Sequence, residues 1–189
     1  MQRLGLFGGS FNPVHFGHLL SAQTAHEELG LEKVYFIPAA ISPFKPDREL
    51  APGAIRLQLL RLALAGRPYC EVDDQELRRG GISYSIDTVR NYAERFPGAT
   101  LFYLVGSDQA PLLSSWREAG ELAQRIEMAI IPRREPITAP APFRSVTLRG
   151  VPFEVSASAI RARVQAGRPI DLLTPSNVAQ AIRNNRLYL

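Results

Sequence analysis

With 189 residues, 46% of them hydrophobic, the chain is long enough to bury one substantial core and too short for two full domains, so one domain over residues 1–189 is expected. A net charge of +4, scattered among acids and without an arginine-aromatic stripe, argues against a nucleic-acid surface and suits a pull on small anions. The single cysteine, Cys70, excludes an internal disulfide and a thiolate zinc cluster, and reads as a small buried apolar residue in a reducing compartment. No apolar run approaches the roughly 20 residues of a membrane helix, and the start MQRLGLFGG lacks a long apolar core and a small-residue cleavage site. A cytoplasmic protein without membrane contact is the expectation.

Leu4, Leu6 and Phe7 form a short apolar run that predicts a buried strand ending at Gly8. Gly8 and Gly9 then permit a tight turn with no side chain between backbone and ligand, and Pro13 keeps a helix out of it. His15 and His18 stand three apart where helical spacing begins, continued by Leu19, Ala22, Ala25 and Leu29. Strand, Gly-rich turn and helix start make a phosphate site, because the first N–H groups of a helix are unpaired and carry partial positive charge. A lone histidine at a helix start is ordinarily a satisfied structural group. Two of them around Gly17, directly after a Gly-Gly turn, weigh towards chemistry. The stretch has neither the P-loop lysine nor the glycine spacing of the dinucleotide fingerprint.

Lys33 to Pro38 reads as a second strand, so the first helix is a right-handed crossover between parallel strands. Ala39 to Pro52, rich in proline and without apolar periodicity, reads as a loop. Ala54 to Ala65 carries Ile55, Leu57, Leu59, Leu60, Leu62 and Leu64, a thick stripe that predicts a largely buried packing helix. Tyr69 to Val72 reads as a third strand, and Asp73 to Arg79 as a solvated charged rim. After the Gly80-Gly81 turn, Ser83 or Ser85 is expected to cap a helix that runs through Val89, Tyr92 and Phe96.

Thr100 to Val105 is the clearest buried strand, and it ends in Gly106-Ser107-Asp108. Asp108 is either an N-cap or a carboxylate at the sheet rim, where open α/β sheets bind ligands. Trp116 alone would be a buried anchor. Met128 to Pro132 is expected to be another strand, followed by an irregular connection from Pro132 to Pro152 with a short strand at Val146 to Leu148. In Val155-Ser156-Ala157-Ser158-Ala159-Ile160-Arg161, Ser156 is an N-cap, Ile160 and Val164 make the packed face, and Arg161 lies beside it. Hydroxyl, free N–H groups and guanidinium together would make a second phosphate cradle; the alternative is an ordinary capped helix with a surface arginine. A last helix, Pro175 to Asn185, packs through Val178 and Ile182.

The stretch Gly8-Gly9-Ser10-Phe11-Asn12-Pro13 with His15-Phe16-Gly17-His18 resembles the signature of the HxGH nucleotidyltransferase superfamily, in the form carried by bacterial nicotinate-nucleotide adenylyltransferases. VSASAIR resembles the superfamily's ISxxxIR motif. The resemblance implies a Rossmann-like α/β nucleotidyltransferase fold, its sheet mainly parallel with helices on both faces, and adenylyl transfer from ATP to nicotinate mononucleotide. It implies ATP contacts from Gly8, Gly9, Ser10, Phe11, His15, His18, Gly106, Asp108, Ser156 and Arg161, with His15 and His18 catalytic and Mg²⁺ accompanying ATP. No metal site of the protein's own is expected. It implies acceptor contacts from Lys45, Tyr84, Ser85 and Trp116, the tryptophan stacking on the pyridine ring. Phe44, Ser85 and Arg117 depart from the family's usual residues around that ring. Transfer to nicotinamide mononucleotide or phosphopantetheine, or a non-catalytic nucleotide-binding regulator, are the rival readings. Assembly into a homo-oligomer is left open.

Overall fold

In a computed structural model, residues 2–44, 50–132, 137–150 and 154–189 are described. The strands are β1 (Arg3–Gly9), β2 (Lys33–Pro38), β3 (Cys70–Val72), β4 (Thr100–Gly106), β5 (Glu127–Ile131) and β6 (Ser145–Thr147). They form one sheet of order β3-β2-β1-β4-β5-β6, every neighbouring pair parallel. Helices α1 (Phe16–Leu29), α2 (Gly53–Leu64), α3 (Gln75–Arg79), α4 (Ser85–Arg95), α5 (Ala119–Arg125), α6 (Ala157–Gln165) and α7 (Ser176–Asn184) connect them, with a 3-10 helix over Ala110–Ser115. That strand order is the doubly wound, Rossmann-like arrangement, and its direction reverses between β1 and β4. The expected α/β fold is observed, with an all-parallel sheet.

Strand residues alternate between two cores, as a period of two requires. Phe7, Phe36, Phe102 and Leu104 join the core built with α1, α2 and α7, whereas Leu6, Ile37, Tyr103 and Val105 join the one built with α4 and α5. The expected stripe of α1, Leu19, Ala22, Ala25 and Leu29, is the buried one, and Gly30 at φ 60° ends the helix in the left-handed conformation. Cys70 is buried, and burial pushes its thiol up to about 11.

Two local expectations are corrected. The segment from Asp73 to Arg79 is not simply a solvated rim: it forms β3's exit and α3, and both Asp73 and Glu76 are buried. Asp73 accepts from the Tyr92 hydroxyl at 2.8 Å and from Arg95 Nη1 at 2.6 Å, and Glu76 accepts from Thr88 Oγ1 at 2.5 Å. Such partners replace the water that a buried carboxylate loses. Neither serine caps α4, because other groups claim both hydroxyls. Tyr84 holds the N-cap position, Ser83 Oγ accepts from the Ala40 amide at 2.9 Å, and Ser85 Oγ donates to the Tyr103 hydroxyl at 3.0 Å. Ser83 thereby fastens the strand exit at Ala40 to the start of α4, beside the isolated bridge between Ile41 and Ile82.

Within the stripe of α2 lies a charge. Arg56 is 2% exposed, and its guanidinium donates to the carbonyls of Ser10 at 2.9 Å, Ala39 at 2.8 Å and Ala51 at 2.9 Å. Burial lowers its proton affinity, while three main-chain oxygens satisfy a fork that would otherwise be costly to bury. It ties the turn after β1 to the exit of β2 and the approach to α2. A helix that reads as pure packing therefore also holds the signature loop.

Candidate active site

A cavity of about 490 Å³ opens at the carboxyl ends of β1 and β4, where the strand order reverses. Gly9, Ser10, Phe11, His15 and His18 line it from one side, Gly106 and Asp108 from β4, and Ser156 and Arg161 from α6. Motifs far apart in the sequence thus meet on one space. Gly8 does not line it. A Cβ there would collide with the Tyr103 hydroxyl, so glycine at this position admits a neighbouring side chain.

His15 occupies the N-cap of α1 in extended backbone, and its carbonyl accepts from the His18 amide at 3.0 Å, closing the first turn. Its ring stacks on that of His18, centroids 3.7 Å apart and planes at 30°. Gly17 is glycine because the His15 ring folds over it: a Cβ would lie 3.0 Å from two ring atoms. The His18 ring also meets Phe7 and Phe11, with centroids at 5.8 and 5.0 Å and planes steeply inclined. The His15 amide donates to His18 Nδ1 at 3.2 Å, so Nδ1 presents its lone pair and Nε2 bears the proton. His18 thereby offers a positioned ring N–H at the start of a helix, where negative charge is favoured.

Opposite stands α6. Ser156 is its N-cap, Oγ accepting from the Ala159 amide at 3.1 Å. Arg161 Nη1 donates to the Asn12 carbonyl at 2.7 Å, a bond between residues 149 apart in sequence. Two helix N-termini and a guanidinium then face one cavity, which can hold a chain of phosphates. Asp108 is not an N-cap, since the 3-10 helix begins after Gln109; it is the one carboxylate among the described residues that line the cavity.

Of the expected acceptor residues, Tyr84, Ser85 and Trp116 gather around Tyr103, and none of them lines this cavity. Trp116 is half-buried and packs against the core on the α4 and α5 side, its ring 5.8 Å from Tyr103 edge to face and 6.0 Å from Phe44. Among the described residues its buried Nε1 has no hydrogen-bond partner. The Arg117 guanidinium lies 4.6 Å above the Tyr84 ring, and Ser85 closes the cluster through Tyr103. Arg90 of α4 grips Glu118 and Glu121, holding the loop behind Trp116 against the helix that starts at Ser85, and its charge presses the Glu121 carboxyl down to about 2. Lys45 lies outside the described residues.

Sequence reasoning missed Arg56, Glu76 and Asn12. Burial raises the proton affinity of Glu76, which accepts from the hydroxyls of Thr88 and Ser83. Asn12 is buried, with its side-chain oxygen accepting from the Ala51 amide at 3.1 Å.

Among the described residues no helix is long and apolar enough to cross a membrane. The cytidylyltransferase-like family matches residues 6–163. A relative from Opitutus terrae is 37% identical over 191 residues, covering 99% of this chain and 98% of its own, and one from Herpetosiphon aurantiacus is 38% identical over 198 residues, covering all of both. Each bears the name "Probable nicotinate-nucleotide adenylyltransferase". The structure also superposes, with a TM-score of 0.83, 18% identity and coverage of 100% and 98%, on Plasmodium falciparum nicotinic acid mononucleotide adenylyltransferase complexed with NaAD. With its signature loop, its α6 motif and its sheet in the family's arrangement, the chain belongs to the nicotinate-nucleotide adenylyltransferase family of cytidylyltransferase-like proteins.

Proposed function

We propose that this chain transfers the adenylyl group of ATP to nicotinate mononucleotide, giving deamido-NAD and pyrophosphate. The observation that carries it is the meeting of α1 and α6 N-termini with His18 and Arg161 around one cavity at the switch point of the sheet. A phosphate oxygen of the acceptor attacks the α-phosphorus in line; that O–P bond forms as the bond to pyrophosphate breaks. Neither step needs a covalent intermediate on the protein. Its work is to hold two anions in register and to stabilise charge spreading over the α-phosphate oxygens. His18 donates to the α-phosphate through Nε2–H, and His15, stacked on it, lies beside the phosphates. Ser156 and Arg161 take the β and γ groups.

The described residues hold no cluster of three or more ligand-type side chains for a metal. One carboxylate in the cavity, Asp108, fits Mg²⁺ that is held mostly by ATP's own phosphates. When bound, that ion would reduce repulsion between the two phosphate groups. The protein would act as one domain in the cytoplasm on these small anions.

The acceptor ring belongs against Trp116, whose buried Nε1–H has no partner among the described residues, with Tyr84 and Ser85 beside it and Lys45 nearby in sequence to Phe44. Nicotinate mononucleotide carries a carboxylate where the amide form is neutral. The Arg117 guanidinium over Tyr84 and the first N–H groups of α4 favour the acid. A hydrogen bond to a charged group contributes about 1.5–3 kcal/mol, so kcat/KM should favour the acid by about tenfold or more. Trp116→Ala should weaken the acceptor and leave the KM for ATP nearly unchanged. Steady-state kinetics with each acceptor check both points; equal efficiency for acid and amide, or a Trp116→Ala defect confined to ATP, would place the ring elsewhere.

A further inference from the structure

Tyr188 lies far from the signature loop in sequence, yet its hydroxyl donates to Asn12 Oδ1 at 2.9 Å. Asn12 sits in the loop between Phe11 and Pro13, lines the cavity and is 3% exposed. Its side-chain oxygen takes two donors, Tyr188 and the Ala51 amide, and its own carbonyl takes the third contact, from Arg161. Fixing the side chain fixes the peptide group that holds the guanidinium. Tyr188 reaches this position with φ 66°, a left-handed conformation that is strained for a bulky residue and persists only where the surroundings impose it. Its ring packs on the α1 and α7 side of the sheet.

The same loop is held from the same side at two further points. Thr174 Oγ1 donates to the Val14 carbonyl at 2.8 Å, and the Phe16 amide donates to the Leu173 carbonyl at 3.1 Å. These contacts are to backbone only. Tyr188 alone of the three reaches the group that touches Arg161.

We propose that Tyr188 is a positioning residue for the phosphate site, acting through Asn12 on Arg161. Burial pushes its hydroxyl up to about 12 despite the nearby charges of Arg161 and Arg56, so it remains a donor throughout the neutral range. The proposal rests on the cavity being the ATP site. It implies that a hydroxyl outside the cavity tunes how well ATP's outer phosphates are gripped, with no effect on the acceptor.

The test is steady-state kinetics with ATP and acceptor varied separately, for the parent chain, Tyr188→Phe, Arg161→Ala and the double variant. Phenylalanine keeps the packed ring, and a thermal melt verifies the fold. Losing one neutral hydrogen bond should raise the KM for ATP about fivefold in Tyr188→Phe and leave the acceptor KM unchanged. On the Arg161→Ala background the same substitution should add nothing, because residues that act through one another are not additive. An unchanged ATP KM in Tyr188→Phe, or an equal effect in both backgrounds, overturns the proposal. If Arg161→Ala itself leaves ATP use unaltered, the assignment of the cavity falls and the proposal with it; an Arg161 effect beside a silent Tyr188→Phe removes the positioning role alone.

Discussion

A His18→Ala protein is expected to fold as the parent does and to turn over on the order of 100-fold or more slowly, the usual loss when a donor aimed at developing charge is removed. The ring is held on three sides, by His15, Phe7 and Phe11, and its tautomer is set by the His15 amide on Nδ1. Such a donor needs no reorganisation as charge moves onto the α-phosphate, which is why its loss falls on kcat and not on the KM for ATP. Folding should survive, because His18 is half-buried and makes no core layer of its own. Single-turnover rates and a thermal melt check this; a folded His18→Ala chain with a near-parent rate would remove His18 from the chemistry.

Arg161→Ala should raise the ATP requirement about tenfold or more, the range expected for a lost charge-assisted hydrogen bond to phosphate. Turnover should fall as well, since the clasp to the Asn12 carbonyl at 2.7 Å disappears with the side chain and loosens the loop that leads into α1 and its histidines. Arg161→Lys separates charge from geometry. It keeps the cation but loses the planar fork that can serve carbonyl and phosphate together, so it should recover only part of the loss. Titration of ATP binding alongside initial rates checks the pair; unaltered binding and rate in Arg161→Ala would return the residue to the surface.

Much of the frame can be read from residue types alone. The spacing of Leu19, Ala22, Ala25 and Leu29 marks the buried face of α1, and the unbroken apolar run from Leu101 to Val105 marks a strand covered on both sides, since local periodicity follows directly from geometry. The signature stretch from Gly9 to His18 and the VSASAIR helix start carry their own chemistry, and both reach the cavity, although Gly8 and Gly9 end β1 and do not form the expected turn. What stayed hidden depends on partners distant in sequence. Among the described residues Arg56 bonds to main-chain carbonyls, which have no side-chain signature, so an arginine in a leucine stripe reads as a solvated interruption. Asp73 and Glu76 look like surface acids until Tyr92, Arg95 and Thr88 of α4 are folded against them. Ser83 and Ser85 have the residue type of caps, but Ala40 and Tyr103 claim their hydroxyls first. Tyr188 meets Asn12 only after the whole sheet is assembled.

The most direct test of adenylyl transfer follows two labels on ATP incubated with the chain, Mg²⁺ and nicotinate mononucleotide. Phosphorus label at the α position is expected in a dinucleotide product with the mass of deamido-NAD, and label at the γ position in pyrophosphate, the two forming in equal amounts. Label from the γ position in the acceptor, or release of free phosphate without a dinucleotide, would contradict it.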